Sequence, residues 1–266
     1  MDARALVETY GQSLPATRKP DYFSLHRRRY VAILQALVVP SGSRVLEIGC
    51  NPGQFTEILV QAGYRVSGLD LQPDDRQDLW KQLGVEVLRG NLEDEALSHG
   101  EDSFDAVVFS EVMEHLPGSP LPALEEIRRV LRPGGLLVLS TPNARSFRER
   151  SLLGLRLLLW RSLEAPAEFR HRMQLRGEET YTVHHRVYTA EEVRWLLERA
   201  GFAGVRVRYL AARESVGVTW KRALGRPWRV LPKALLWLLV ALVPPARSML
   251  LATARKGVAE QVERGT

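Results

Sequence analysis

Among 266 residues the chain has a single cysteine, Cys50. One thiol closes no internal disulfide, so the fold rests on its apolar core, which suits a reducing compartment. The first twenty residues lack the stretch of about 7–15 apolar residues that marks a secretory leader. No apolar run reaches the roughly 20 residues needed to cross a bilayer. The longest charge-free one, 234–246, spans 13 residues between Lys233 and Arg247. Internal repeats and low-complexity tracts are absent as well. These absences predict a cytoplasmic protein.

What is present is a globular composition. With 45% hydrophobic and 26% charged residues, the chain fits neither a disordered nor a polytopic membrane protein. At roughly 100–200 residues per domain, its length allows one elaborated domain or two small ones. The formal net charge of +6 conceals an asymmetry. Residues 1–143 carry 14 Lys and Arg against 20 Asp and Glu, whereas residues 144–266 carry 23 against 11. An acidic half joined to a basic half implies two tasks, the basic half facing nucleic acid, a membrane or an anionic substrate.

Apolar residues at 23, 30, 33, 34 and 37 give residues 22–39 a helical spacing. RVLEIG (44–49), YRVSGLD (64–70), VEVLRG (85–90), FDAVVFS (104–110) and GLLVLST (135–141) read as short buried strands. QFTEILVQA (54–62), DDRQDLWKQLG (74–84) and LPALEEIRRVL (121–131) read as helices between them. TAEEVRWLLERAG (189–201) is a further helix with a Thr189–Glu192 capping box. GVRVRYL (204–210) and MLLATARK (249–256) are the last two strands. The alternation predicts an α/β fold: a Rossmann-like, doubly wound, mostly parallel seven-stranded sheet with helices on both faces. Residues 164–180 read as loop, and 213–248 as a helical, apolar and basic insertion.

VLEIGCNPGQF (45–55) carries the strongest chemical signal. Gly49 and Gly53 bracket a tight turn between a strand and a helix, where the missing Cβ permits positive φ and close approach of a ligand. Asp70 ends the next strand, 21 residues after Gly49, where a carboxylate can accept both hydroxyls of a ribose. Glu47 and the polar strand end Gly90-Asn91 make the combination more specific than a glycine turn alone. A nicotinamide dinucleotide is the weaker alternative. GCNPG (49–53) lacks the middle and last glycines of that fingerprint.

In VLEIGCNPG (45–53), GLDL (68–71), GNLED (90–94), FDAVVFSEVMEHL (104–116), LRPGGLLVLSTPN (131–143) and HHRVYTAEEVRWLLERAGF (184–202), the sequence resembles the class I S-adenosylmethionine-dependent methyltransferases. The likeness is greatest to those of ubiquinone and menaquinone pathways. It implies S-adenosylmethionine as cofactor, its methionine part on Glu47, Gly49, Cys50 and Gly53 and its ribose on Asp70 beside Leu71. Adenine is expected near Asn91 and Leu92, with Ser110 and Glu111 closing the pocket. Asn51 stands where the family has a glycine, and Asn91 where it has an aspartate. Asparagine tolerates left-handed backbone, and its amide can bond an adenine edge. The resemblance divides the chain into a helical cap (1–40), a cofactor-binding core (41–143), an acceptor-site insertion that completes the sheet (144–212), and a basic, apolar segment (213–266). A catalytically silent cofactor-binding or membrane-interaction module is the alternative on the same fold.

Methyl transfer to a hydroxyl benefits from a general base. Glu111, Glu114 and His115 stand at i, i+3 and i+4, so a helix here would put all three on one face at the crevice. Three readings stay open: His115 as the base, a plain pocket wall, or a divalent cation held by the trio with His184 or His185. A similar E-x-x-E-H pattern holds such a cation in some small-RNA 2′-O-methyltransferases and ubiquinone-pathway O-methyltransferases. Cys50 reads as a packed small residue rather than a nucleophile. Tyr22, His26 and Tyr30 lie on the cap helix, and Arg27–Arg29 reads as its solvated face.

ALLWLLVALV (234–243), with Trp228, Trp237 and flanking Arg222, Arg226, Arg229, Lys233 and Arg247, suits an interfacial segment. Residues 146–163 offer a second surface of leucines and arginines; both segments read equally well as helices covering the sheet or a dimer seam. Basic residues here interleave with Leu and Trp, and no nucleic-acid motif is present. The expected acceptor is therefore a small or lipidic molecule, with no nucleic acid. Peripheral membrane association joins it as a hypothesis. Oligomeric state and the choice among O, N and C methylation are open at this level.

Overall fold

Short runs of Val, Leu, Ile and Phe, too short for helices and bounded by turn residues, become the strands of one sheet. The computed structural model describes residues 2–15, 18–93, 96–162, 166–212, 238, 240 and 242–258. Its strands are β1 (Arg44–Ile48), β2 (Arg65–Asp70), β3 (Glu86–Arg89), β4 (Phe104–Ser110), β5 (Leu131–Pro142), β6 (Phe202–Leu210) and β7 (Met249–Lys256). They order as β3-β2-β1-β4-β5-β7-β6. β1 to β5 pair in parallel, and β7 runs antiparallel to both β5 and β6. The expected mostly parallel, seven-stranded sheet is observed.

The helices are α1 (Ala3–Ser13), α2 (Pro20–Ala36), α3 (Gln54–Gln61), α4 (Gln77–Leu83), α5 (Leu121–Val130), α6 (Phe147–Leu158), α7 (Pro166–Gln174) and α8 (Ala190–Arg199). Alternate strand residues point to opposite faces, and the two faces have separate cores. Leu46, Val107, Phe109, Leu137 and Leu139 pack with Leu124 and Ile127 of α5 and Val193 and Leu197 of α8. Val45, Ala106, Val108, Leu136 and Val138 pack with Val7 of α1, Phe23 and Ile33 of α2, and Ile58 and Leu59 of α3. Full burial of each such Leu, Ile or Phe stabilises the fold by about 1.5–3 kcal/mol.

The α8 capping box forms as expected: Glu192 N–H donates to Thr189 Oγ1 at 3.2 Å, and Thr189 N–H donates to Glu192 Oε2 at 2.8 Å. Residues 164–180 depart from the expected loop, since they contain α7 and a 3-10 turn at Gly177–Thr182. PAEFRHRMQ has a proline suited to a helix start but no apolar stripe, so its periodicity is silent. Of the apolar run 234–243, Leu238, Val240, Leu242 and Val243 are among the described residues; the rest of the run, with Trp228 and Trp237, lies outside them. Among the described residues, no helix is long and apolar enough to cross a membrane.

The strand order reverses between β1 and β4, its neighbour. A crevice opens past the carboxyl ends of strands at such a switch point. The loops after β1, β2, β3 and β4 all meet there.

Candidate active site

The turn after β1 is shaped by what a side chain would hit. Gly49 has φ +77°, and a Cβ on it would fall 2.4 Å from Val112 Cγ2. Gly53 has φ +91°, and its Cβ would fall 2.3 Å from Leu79 Cδ2. Both positions therefore require glycine on backbone and steric grounds. Asn51 does not take the left-handed conformation that its place in the motif suggested, since it is absent from the positive-φ residues. It ties two loops instead. Its N–H donates to Asp70 Oδ2 at 2.9 Å and its Nδ2 to the Gln72 carbonyl at 2.9 Å. Asp70 Oδ1 accepts from Gln72 N–H at 3.0 Å. Two backbone donors thus fix the Asp70 carboxylate, and each oxygen keeps acceptor capacity for a ligand.

Gly49, Asn51, Asp70, Leu71, Asn91, Leu92, Glu111 and His115 line one cavity of about 740 Å³, counting its open mouth. Ile48, Leu69, Val112 and Leu116 give it apolar walls. Four expected cofactor residues stand behind this lining. Glu47 is buried and accepts from Thr56 Oγ1 at 2.6 Å, and burial pushes its carboxyl up to about 8. Cys50 packs with Leu79 and Trp80, and burial raises its thiol well above the usual range, which makes it inert. Gly53 starts α3. Ser110 Oγ bonds Ser140 Oγ at 2.8 Å.

Glu111, Glu114 and His115 do not share a helix face. Only Met113–His115 forms a 3-10 turn, and Glu111 before it takes φ +56°. Glu111 Oε2 pairs with Arg29 Nη1 at 3.1 Å, with both side chains buried or nearly so. Glu114 is fully buried and its Oε2 accepts from Thr141 Oγ1 at 2.9 Å. Burial, reinforced by Glu111, raises its carboxyl well above the usual range. His115 Nδ1 lies 3.0 Å from the Val183 carbonyl. A carbonyl only accepts, so Nδ1 carries the proton and Nε2 keeps its lone pair. Burial and the neighbouring His184 hold His115 below its ordinary pKa, so the ring is neutral at pH 7. The His115 and His184 rings meet edge-on at 4.7 Å. His185 Nε2 is instead 2.7 Å from the Thr180 carbonyl.

The sequence missed two residues. Arg29 reads as part of a solvated run but is 5% exposed. Burial disfavours its charge, and Glu111 with Tyr30 and Tyr22 outweighs that and keeps it cationic. The helical period from Phe23 through Tyr30 and Ile33 placed Arg29 near the buried stripe, a usable signal. Tyr181 lines the cavity and accepts from Asn91 Nδ2 at 2.7 Å. It lies in the stretch without periodicity, so nothing marked it. His26 and Tyr30 are core residues, Tyr30 stacking on Phe55 at 5.1 Å.

A family profile described as a methyltransferase domain matches residues 22–207, more than half of the chain. The ubiquinone biosynthesis O-methyltransferase of Xanthomonas campestris pv. campestris (strain B100) is 36% identical over 122 residues, 44% of this chain and 49% of that protein. The chain thus spans about half the length of the curated relatives it matches. An S-adenosylmethionine-dependent methyltransferase from Archaeoglobus fulgidus superposes with a TM-score of 0.56 at 16% identity, covering 89% of this chain and 99% of that one. Phosphoethanolamine N-methyltransferase 2 of Haemonchus contortus, in complex with S-adenosylmethionine, gives 0.54 at 17% identity over 86% and 52%. These two likenesses establish the fold. Together with the profile over residues 22–207, they lead to one conclusion: the chain belongs to the class I S-adenosylmethionine-dependent methyltransferase family.

Proposed function

We propose that this chain binds S-adenosylmethionine in the cavity at the β1–β4 switch point and methylates a hydroxyl of a small amphiphilic acceptor, with His115 as general base. The observation that carries the reading is the joint presence, around one cavity, of a fixed Asp70 carboxylate, a glycine turn and a His115 ring whose Nδ1 is held by the Val183 carbonyl. The residues present fit the cofactor: Gly49 lines the cavity, where the missing side chain leaves its backbone open to a ligand. Gly49, Asn51, Asp70, Leu71, Asn91, Leu92 and Glu111 are assigned to it, with Glu47, Cys50, Gly53 and Ser110 supporting them from behind. When bound, S-adenosylmethionine supplies an electrophilic methyl group on a sulfonium. The protein orients and desolvates the reactants. Asp70 accepts the ribose hydroxyls, and the apolar walls exclude water. His115 Nε2 takes the proton of the acceptor hydroxyl as its oxygen becomes nucleophilic.

One observation favours a second role for the same ring. Among the described residues, Glu114, His115 and His184 each bring a ligand atom within 4.8 Å of the others, and buried Glu114 Oε1 has no hydrogen-bond partner there. A carboxylate and two imidazoles suit a divalent cation that would bind an acceptor's oxygens. Glu111 is not in this cluster; its carboxylate pairs with Arg29.

The acceptor's chemistry is inferred from α6. This helix buries none of its residues. Leu153, Leu155, Leu157 and Leu158 are exposed, Trp160 is 98% exposed, and Arg148, Arg150 and Arg161 stand among them. An uncovered apolar and cationic surface after β5 suits a lipidic acceptor at an anionic membrane surface. The protein is to be incubated with cell extract and S-adenosylmethionine labelled in the methyl group, and the products partitioned between water and organic solvent. Label in the organic phase, absent when the protein is heat-inactivated, is the expected result. Label confined to the aqueous phase would reject the lipidic acceptor.

A further inference from the structure

We infer that residues 177–185 form a strap across the cofactor cavity, in which Glu178 and Tyr181 are positioning residues that act on His115 through the Val183 carbonyl. The inference rests on the methyltransferase reading, because the role of His115 comes from it.

The strap has little apolar adhesion. Its 3-10 turn, Gly177–Thr182, buries no residue. Segments with few buried apolar contacts open at low free-energy cost, so polar bonds decide where this one sits. At its start, Glu178 Oε1 accepts from Arg89 Nη1 at 3.0 Å and Oε2 from Gln72 Nε2 at 2.9 Å. Arg89 reaches on to the Leu71 carbonyl at 2.7 Å, and Gln72 N–H is bound to Asp70 Oδ1. Midway, Tyr181 Oη accepts from Asn91 Nδ2 at 2.7 Å and the ring lines the cavity. Further on, Val183 O accepts from His115 Nδ1 at 3.0 Å. At its end, His185 N–H donates to the Glu114 carbonyl at 2.8 Å.

Each of these anchors is a residue of the cavity wall or its immediate neighbour. The contacts run in order from the ribose-side carboxylate, past Asn91, to the proposed base. Arg89 and Glu178 are both about half exposed, and such a pair contributes little alone. The anchors act together. Loss of both Glu178 and Tyr181 Oη leaves the strap held at its far end by the His185 N–H bond to the Glu114 carbonyl, so the Val183 carbonyl shifts and the His115 ring is free to rotate or change tautomer. A ligand beneath the strap tightens the same bonds from Asp70 and Asn91 outward, so cofactor occupancy and the orientation of the base are linked.

The test is solution NMR of the full chain, wild type and the double variant Glu178→Ala/Tyr181→Phe, with and without S-adenosylhomocysteine. The ligand-free wild type is expected to show a slowly exchanging His115 Nδ1–H resonance, and the double variant to lose it without a change in Tm. Glu178→Gln alone, which keeps an acceptor for Gln72, is expected to retain it. In the wild type, S-adenosylhomocysteine is expected to slow amide exchange at residues 180–185 by about tenfold, and in the double variant not at all. An unchanged His115 resonance in the double variant would overturn the strap's hold on the base. Ligand binding that leaves amides 180–185 unprotected would overturn the link to occupancy. Failure of the wild type to bind S-adenosylhomocysteine would instead reject the methyltransferase reading, while the ligand-free resonance still decides the strap.

Discussion

Asp70→Ala is expected to weaken S-adenosylmethionine binding by about 100-fold, the loss of two charge-assisted hydrogen bonds worth about 1.5 kcal/mol each. The residue ends β2 and its carboxylate is held by the N–H groups of Asn51 and Gln72 before any ligand arrives. A ribose hydroxyl pair therefore meets an acceptor that needs no reorganisation. Those two N–H groups return to water in the variant, because Asn51, Asp70 and Gln72 are only partly buried or exposed. The fold should accordingly lose no more than about 1 kcal/mol. Asp70→Asn keeps one acceptor oxygen and should fall between wild type and alanine. Calorimetric Kd values for the three proteins check this, with thermal melting to separate affinity from stability. An alanine variant within threefold of wild type would remove the ribose from Asp70.

His115→Ala should lower kcat by about 10²–10⁴-fold, the usual worth of a positioned base, and leave the Kd of S-adenosylhomocysteine within about threefold. The acceptor recovered in the partition experiment is the substrate for this assay. The pH profile carries an independent signature. A base works only when unprotonated, and burial beside His184 holds His115 below its ordinary value of 6.5. The wild-type kcat/KM should therefore stay flat through neutral pH and fall on an acid limb that lies below pH 6.5. A limb above that value, or full turnover by the alanine variant, would exclude the base. The cation reading differs in one treatment. Chelation with EDTA leaves a metal-free base active, whereas a cation held by Glu114, His115 and His184 would make activity fall and return on adding the metal.

The sheet was legible because parallel strands buried on both faces are written as apolar runs between turn residues. The Thr189–Glu192 capping box was legible for a similar reason, since both of its bonds lie within one turn. The cavity was largely legible where its residues are local to strand ends, as with Gly49, Asp70 and Asn91. The parts that depend on distant packing were hidden. Spacing alone put Glu111, Glu114 and His115 on one face, but the turn after β4 breaks at Glu111, whose side chain is drawn to Arg29 of α2. Tyr181 reaches Asn91 from 90 residues away, and no periodic pattern records such a contact. The charge division survives in sharper form. Among the described residues, the acidic half supplies every cavity-lining residue except Tyr181, and the basic half exposes α6.

The central claim is that the cavity between Gly49, Asp70 and Asn91 is a site for S-adenosylmethionine. Isothermal titration of the wild-type chain with S-adenosylhomocysteine measures this directly, with S-adenosylmethionine as competitor. The predicted result is one site per chain with a Kd between about 1 μM and 1 mM, the range in which enzymes hold their substrates, and displacement of one ligand by the other. No heat and no competition at millimolar ligand, on protein with a cooperative melting transition, would contradict it.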